Sequence, residues 1–470
     1  MRLLRDPGTL LVSIIASACV LVSGCTSVDG GTDLSGVGSV GGGQSGSNLP
    51  DRPRPSPQSG GDYLTSADLR SLYEAIMDVY VDPVDPRVLI TGALRGAHRG
   101  SAEAGLFPME SAVFDTAGVR TSPDPEVAWA EWMQIYGAFQ RKLLNRVAVT
   151  GVGQGAARGM LDALADPNTS FLGRRELESL QVADYVGVGV VLAPTGERGP
   201  PVVREVTAAS PAEAAGLKVG DVIREVDGKS TVGMTLSESV DAIRGAAGTQ
   251  VGLNVRSPGS ASGRQVDVRR GVVRATAANA DLRNGINYVR IRTLQDGASS
   301  GIRAALAQSP PDTRGWVLDL RGNDRGSLQE AVNVASLFVG EQIVALQEDR
   351  SRRRAPVRGV GRPLSPQPPT VILVDEGTGG AAEVLAAALR DHGVGPVVGT
   401  RTAGKAAQTT RLPLPDGSEA QITSYRLLSP SGDQIHRVGL APTDLVPATA
   451  EDWIEGRDVQ VERAMALLGN

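Results

Sequence analysis

The spacing of apolar residues after residue 62 first predicts helices. Leu69, Leu72 and Ile76 are spaced as on one face of a helix, and Ser66 before them is the predicted helix cap. This periodicity predicts a helical N-terminal region over residues 62–181.

A short motif, Gly-Ala-x-Arg-Gly, occurs twice in this helical region. It begins at Gly92 and again at Gly155. The two copies suggest a duplicated helical unit, although a five-residue match carries little weight. Between the copies, the polar segment 98–145 contains prolines and one further predicted helix, about 126–145, and is interpreted as an insertion.

Short strands and two capped helices follow over residues 182–272. Ser210 before Pro211 predicts the start of one helix, and Thr235 with Glu238 predicts a capping box at the other. Apolar residues at i, i+4 and i+7 form one face of the second helix. They are Leu236, Val240 and Ile243.

Strands alternate with helices over residues 273–449, which predicts a mostly parallel sheet covered on both faces. Val371–Val374 is a fully apolar strand that leads into a glycine-rich turn and a helix ending near Asp391. Turns of this kind often present a reactive side chain above backbone N–H groups. Residues 450–470 are predicted to form a C-terminal helix.

The first 61 residues have the composition of an export signal and a tether. A basic start and a short apolar run end at Cys25, and residues 26–61 are dominated by Gly, Ser, Pro and Asp. The segment 1–25 resembles a bacterial lipoprotein signal, with Cys25 as the lipidated residue. The alternative is a cleaved signal peptide with an incidental cysteine.

The composition of the 470-residue chain argues against nucleic-acid binding and against a metal site. A net charge of −5 gives no sign of nucleic-acid binding. The only cysteines are Cys19 and Cys25, and there are three histidines, so we expect no metal site and no cofactor.

The stretch "SPAEAAGLKVGDVIREVDGKS" resembles a PDZ domain in the circularly permuted arrangement of bacterial proteases. The resemblance implies that a peptide adds as a strand beside the helix bearing Leu236, Val240 and Ile243. These three residues can also be simple core. The implied carboxylate-binding loop consists of Tyr185, Gly187, Val188, Gly189 and Val190, with Val186 between them.

A wider set of motifs, from about 66 to 447, resembles the carboxyl-terminal processing peptidases, also called tail-specific proteases. The motifs include "DALADPNTSFL", "VLDLRGN", "AALRDHG" and "LLSPSGDQI", in family order. The resemblance implies an α+β multidomain fold: an N-terminal helical region, a permuted PDZ domain and an α/β peptidase core of the ClpP/crotonase-like type. It also implies a serine nucleophile, a lysine base and backbone oxyanion donors.

The family's site can be located on this sequence residue by residue. The turn Gly377–Glu383 matches the family's nucleophile turn without a gap, which assigns the nucleophile position to Gly380. The base position is Lys405. Ala381 and Gly326 occupy the positions implied to contribute backbone N–H groups to the oxyanion site. The lysine is present and the serine is absent.

Further departures point in the same direction. The glutamine that orients the lysine in the family is replaced by Thr409, and the first glycine of the oxyanion pair is Arg325. Thr378 is the neighbouring hydroxyl, two residues before Gly380, but a misplacement on the order of 1 Å can cost about a hundredfold in rate. With no serine to activate, Lys405 is expected to be a buried amine or an anchor for a carboxylate.

The sequence therefore predicts an inactive homologue of a serine-type endopeptidase, held at the cell envelope on its extracytoplasmic face by a lipid. Its expected partners are protein C-terminal tails or unfolded polypeptides, the membrane, and no nucleic acid. Two alternatives stay open: an active endopeptidase that uses Thr378 with Lys405, and a regulatory partner of an active relative. Homo- or hetero-oligomers are also left open.

Overall fold

The computed structural model describes residues 63–103, 122–142, 146–180, 185–207, 209–273 and 277–469. The predicted signal segment with Cys25, the tether 26–61 and the middle of the predicted insertion lie outside these residues. All of the described residues belong to one unit, Ser56–Asn470.

The N-terminal region is helical, as predicted. Its helices are α1 (Ser66–Val79), α2 (Pro86–Glu103), α3 (Pro125–Lys142) and α4 (Arg146–Asp162). The prediction of Ser66 as the cap of α1 is wrong by one residue, because Thr65 exchanges hydrogen bonds with Asp68 there. Pro86 starts α2, where its missing N–H has no intrahelical partner to lose.

Helices α2 and α4 carry the two copies of the repeated motif and touch backbone to backbone. A Cβ atom built on Gly96 would lie 1.9 Å from the Gly155 carbonyl oxygen. Only glycine permits such an approach. The contacts run antiparallel along the pair: Gly92–Gly159, Gly96–Gly155 and Gly100–Gly151.

After β1 (Ser170–Leu172) and α5 (Arg174–Leu180), the chain forms a small β domain with two helices. Its elements are β2 (Tyr185–Gly187), β3 (Val190–Ala193), β4 (Val202–Val206), α6 (Pro211–Ala214), β5 (Val222–Val226), β6 (Lys229–Ser230), α7 (Leu236–Ile243), β7 (Gln250–Arg256), β8 (Arg264–Arg269) and β9 (Gly271–Val273). The sheet order is β3-β4-β5-β7-β8, with β6 on β5, and β2 pairs with β9. Both predicted caps are present, at Ser210 and at Thr235 with Glu238.

The remaining chain alternates strands and helices. Its elements are β10 (Ala278–Arg283), β11 (Ile286–Ile291), α8 (Ala298–Ala307), β12 (Gly315–Asp319), α9 (Leu328–Val339), β13 (Ile343–Glu348), β14 (Arg354–Arg358), β15 (Thr370–Val374), α10 (Ala381–Asp391), β16 (Val397–Gly399), β17 (Ala407–Pro413), β18 (Glu419–Leu428), β19 (Asp444–Leu445), α11 (Ala450–Ile454) and α12 (Val459–Gly469).

The central sheet has the order β10-β11-β12-β15-β16-β19, and all of its pairs except β10–β11 are parallel. Helices α8, α9 and α10 contribute to the core on one face, and α12 packs on the other through Ala464. This is the covered parallel sheet that the alternation predicts. A second sheet joins β1, β18, β13 and β14, with β17 on β18.

The C-terminal segment joins the β domain to the central sheet. Trp453 of α11 packs against Val202 and Val222 of the β domain. Five residues later, Asp458 accepts hydrogen bonds from Arg321, directly after β12. Among the described residues, none of the helices has both the length and the apolar character needed to span a membrane.

Candidate peptidase-like site and peptide groove

The turn between β15 and α10 bends sharply at Gly380. This residue has φ +58° and ψ −117°, a conformation that residues with a side chain rarely adopt. The Asp375 carboxylate supports the turn by accepting hydrogen bonds from the N–H groups of Gly377 and Gly322, at 3.0 and 2.7 Å. The strand, the strained turn and the helix together form the geometry of a nucleophile elbow.

The space beside Gly380 is open. A Cβ atom built on it would have only the Lys405 carbonyl oxygen within 4 Å, at 3.8 Å. Packing therefore does not require a glycine here, although the positive φ favours one. A serine at this position would meet backbone strain and no steric barrier.

Glu383 ties the elbow to the loop that carries Lys405. Its carboxylate is fully buried and accepts hydrogen bonds from the N–H groups of Gly380, Gly404 and Lys405, at 2.9, 2.7 and 2.6 Å. It also accepts one from the Thr402 hydroxyl. Burial raises the pKa of Glu383 above its usual range, and these hydrogen bonds oppose that rise. In the sequence, Glu383 served only to fix the register, and nothing local indicated its second contact.

The Lys405 loop is also held from the opposite side. The Asn168 side-chain amide donates to the Lys405 carbonyl oxygen at 2.8 Å, and the Arg437 N–H donates to the Gly404 carbonyl oxygen at 2.7 Å. The helical region and the C-terminal part of the core therefore both help to fix the backbone at Lys405.

The Lys405 side chain is not a buried amine, so the first of its two expected states is wrong, and the second, an anchor for a bound carboxylate, stays a prediction. It is 39% exposed, and its Nζ lies 3.8 Å from Asp324 Oδ2. Its Cδ lies over Gly379, 3.3 Å from where a Cβ atom would stand. The sequence interpretation missed Asp324 because this residue is 81 positions away from Lys405 and lies on another loop.

The small β domain offers a groove beside α7. Within the described residues, strand β3 lies at the edge of its sheet and pairs with β4 alone, so its other side can accept an added strand. Leu236 and Val240 are partly exposed on α7, whereas Ile243 is buried in the domain core. Two of the three predicted groove residues are therefore accessible, and the third is a core residue.

The loop before β3 is short and tightly held. Val188 is buried in the core of the β domain, and Gly189 has φ +87°. The carbonyl oxygens of these two residues accept hydrogen bonds from Ala212 and Thr207, at 2.8 and 2.9 Å. Of the other predicted loop residues, Gly187 ends β2 and Val190 begins β3. Tyr185 begins β2, and its side chain lies outside the described atoms.

Ion pairs connect the β domain to the elbow. Arg204 of β4 pairs with Asp375 at 2.9 Å, and both side chains are largely buried. The next residue, Glu205, pairs with Arg290 at 3.0 Å and also with Arg292. One strand of the β domain therefore contacts the same aspartate that supports the elbow.

Within the described residues, no group of three or more His, Cys, Asp or Glu side chains is arranged so that it could hold a metal ion.

Comparisons with known proteins agree with this architecture. Peptidase family S41 matches residues 285–446, and the PDZ domain family matches residues 202–257. The chain is 31% identical over 320 residues to a carboxyl-terminal-processing protease of Picosynechococcus sp., covering 66% of this chain and 77% of that protein. It is 33% identical over 350 residues to the chloroplastic C-terminal processing peptidase of Tetradesmus obliquus, covering 70% and 74%.

The chain belongs to the C-terminal processing peptidase family.

Two further comparisons define the extent of the likeness. The chain is 29% identical to the carboxy-terminal processing protease CtpA of Bacillus subtilis and spans 62% of its length. Its structure resembles the photosystem II D1 C-terminal processing protease with a TM-score of 0.51, 26% identity, and coverage of 87% of this chain and 98% of the other. The predicted family, the PDZ domain and the mixed α+β fold class are confirmed.

The Thr378 hydroxyl, the alternative nucleophile considered from the sequence, is engaged inside the turn. The side chain is fully buried. Its hydroxyl donates to the Leu320 carbonyl oxygen at 3.0 Å and accepts from the Asp375 N–H at 3.0 Å. A hydroxyl committed to these contacts is not placed to attack a peptide, and the structure disfavours the Thr378 alternative.

The other positions that the family resemblance assigned to the site are Ala381, Gly326 and Thr409, and they have different surroundings. Ala381 is the first residue of α10, where a backbone N–H has no intrahelical acceptor. Gly326 packs against Leu294, whose carbonyl oxygen would be 2.5 Å from an added Cβ atom. Thr409 lies on β17 beside a register shift, and no hydrogen bond joins it to Lys405 within the described residues.

Proposed function

We propose that this protein binds protein C-termini through its PDZ domain and lacks peptidase activity. The observation that carries the proposal is Gly380, which occupies the elbow position without a side chain. In serine hydrolases, removal of a nucleophile that acts as a unit with its base costs about a million-fold in rate. A protein without the nucleophile can still bind peptides.

The open edge of β3 supports the binding half of the proposal. An extended peptide can add to this edge by main-chain hydrogen bonds, with its side chains against Leu236 and Val240. Both of these residues are apolar and partly exposed, so the groove favours tails with apolar C-terminal residues.

Cleavage is tested by incubating the purified protein with an unstructured polypeptide that ends in apolar residues. A fluorophosphonate that labels activated serines is added in parallel. We expect neither cleavage nor labelling. If both occur, the protein is an active endopeptidase and the proposed lack of peptidase activity is wrong.

Tail binding is tested by fluorescence anisotropy with an apolar peptide that has a free C-terminus. Val240→Asp should weaken binding more than tenfold, because it places a carboxylate in the groove. Val219→Asp is the matched control, since Val219 is exposed in the same domain but lies before β5. Equal binding by both variants would show that the peptide does not bind in the groove beside α7.

The extracytoplasmic location is also part of the proposal and rests on the sequence around Cys25. In a bacterial host that lipidates exported proteins, the natural chain should fractionate with membranes. Cys25→Ser should release it into the soluble extracytoplasmic fraction. Membrane association that survives this substitution would contradict the lipid anchor.

A further inference from the structure

Arg270, between β8 and β9 of the PDZ domain, is a buried cation that makes no ion pair within the described residues. It is 7% exposed. Two other buried arginines, Arg321 and Arg426, each pair with carboxylates. A buried charge without an opposite charge is costly, so the fold alone gives no reason to place an uncompensated guanidinium here.

The guanidinium uses only part of its donors to hold the end of α7. Its Nε donates to the carbonyl oxygen of Ile243, the last residue of α7, at 2.7 Å. Its Nη1 donates to Thr249 Oγ1 at 2.9 Å and to the Gln250 carbonyl oxygen at 3.1 Å. These acceptors are neutral, and the described residues provide no acceptor for Nη2. The N–H groups of Nη2 are therefore available to a ligand.

Two contacts place Arg270 beside the predicted carboxylate-binding loop. The next residue, Gly271, pairs with Gly187, where β2 ends and this loop continues. On its other side, Arg270 bonds to Ile243, which packs in the same core as Val188 of the loop. The guanidinium thus lies where the end of α7 approaches the start of the groove.

We propose that Arg270 recognises the terminal carboxylate of a bound tail by donating to it from Nη2. The carboxylate supplies the opposite charge that the described residues lack, and a charge-assisted hydrogen bond of this kind is among the strong ones. The same guanidinium then joins the end of α7 to the end of the peptide. This assignment rests on the proposed binding of C-terminal tails and identifies a residue that selects for a free C-terminus.

The test uses one apolar peptide in two forms, with a free C-terminal carboxylate and with a C-terminal amide. Fluorescence anisotropy gives the Kd of each form, and the ratio of the amide Kd to the acid Kd measures recognition of the carboxylate. The natural full chain should bind the acid more tightly. Arg270→Gln should lower the ratio about tenfold, the size expected for one hydrogen bond to a charged group.

The ratio separates contact with the ligand from a purely structural role. A groove loosened by the lost contact with α7 would weaken both forms of the peptide and leave their ratio unchanged. Arg269→Gln is the matched control, because it removes the same charge from the neighbouring exposed residue, whose Nε donates to the Gly248 carbonyl oxygen at 3.2 Å. This variant should keep the ratio of the natural chain.

Arg270→Lys provides a second variant that keeps the positive charge. A lysine has a single terminal nitrogen, so it cannot hold the end of α7 and the carboxylate through separate nitrogens as a guanidinium does. We expect its ratio to fall about threefold, between the natural chain and Arg270→Gln. If the glutamine variant does not fold, an unchanged ratio in Arg270→Lys would overturn the assignment.

The outcomes distinguish this assignment from the proposed function. If the natural chain binds neither peptide, the proposed tail binding is wrong and the role of Arg270 is wrong with it. If the natural chain prefers the acid and Arg270→Gln keeps the same ratio, tail binding stands and the role of Arg270 is wrong. Equal binding of acid and amide by the natural chain, or an equal fall in the ratio for Arg269→Gln, would also overturn the assignment.

Discussion

Glycines lie at the contact of α2 with α4 and at the turn before α10, but for different physical reasons. Between the helices, a Cβ atom on Gly96 would lie 1.9 Å from the Gly155 carbonyl oxygen, so the backbones leave no room for one. At the turn, the nearest atom to a Cβ on Gly380 would be 3.8 Å away, and only the φ of +58° favours glycine.

This difference decides which of the two places could accept a side chain. The helix pair could not lose its glycines without moving two backbones apart. The elbow could carry a serine with no change in its surroundings, at the cost of local strain. The framework around Gly380, including Glu383 and the Lys405 loop, therefore leaves room for a side chain at residue 380.

The largest effect is expected for Gly96→Ala. The added methyl group would collide with the α4 backbone, and such overpacking should lower the free energy of unfolding by about 3 kcal/mol. Gly301→Ala is the matched control, because Gly301 lies in α8 with nothing within 4 Å of its Cβ position. That variant should be neutral or stabilise by up to about 1 kcal/mol, since alanine favours helices. Denaturant unfolding measures both, and a similar loss in each would contradict the contrast.

An intermediate effect is expected for Glu383→Gln, which disrupts the hydrogen bonds that tie the turn to the Lys405 loop and leaves Gly380 unchanged. The amide would turn a donor group toward N–H donors, and an unsatisfied buried group costs about 1–3 kcal/mol.

The pH dependence of this loss has a definite sign. Burial raises the pKa of Glu383 in the folded state. The folded protein therefore holds the proton of this carboxyl group more tightly than the unfolded chain does. Its contribution to stability is then greatest at acidic pH and falls as pH rises through the raised pKa. The difference in unfolding free energy between the natural chain and the glutamine variant should therefore shrink from acidic to neutral pH. A difference that grows with pH would contradict the assignment.

An effect of the same size is expected at Gly380 itself. Gly380→Ala and Gly380→Ser should each lower the free energy of unfolding by about 1–3 kcal/mol, the usual cost of a side chain in this backbone conformation. The two variants carry the same strain, and only the serine has a hydroxyl. Fluorophosphonate labelling of Gly380→Ser alone would support the register assigned to the elbow. Labelling of both variants would show that the probe reacts elsewhere.

The sequence predicted those parts of the fold that are set by neighbouring residues. The caps at Ser210 and Thr235 depend on hydrogen bonds to residues three positions later, and both are present. The elbow depends on a short run between β15 and α10, and its register follows from Glu383.

The contacts that complete the site join residues that are distant in sequence. Asn168 reaches the Lys405 carbonyl oxygen across 237 positions, and Asp324 meets Lys405 from a separate loop. No periodicity or motif encodes such a meeting, so the exposed state of Lys405 could not be predicted. The repeated Gly-Ala-x-Arg-Gly motif was visible in sequence, but its antiparallel pairing depends on how α2 and α4 pack.

The smallest effect is expected for Lys405→Ala. An exposed ion pair contributes about 0–1 kcal/mol, so the free energy of unfolding should change little. The proposed function predicts that the rate of peptide cleavage does not change, because Gly380 offers the lysine no hydroxyl to activate. In the Gly380→Ser background, by contrast, the same substitution should abolish any labelling that the serine restores. A clear loss of cleavage on Lys405→Ala in the natural chain would contradict this prediction. It would mean that a group other than residue 380 acts as the nucleophile in the open space at the elbow.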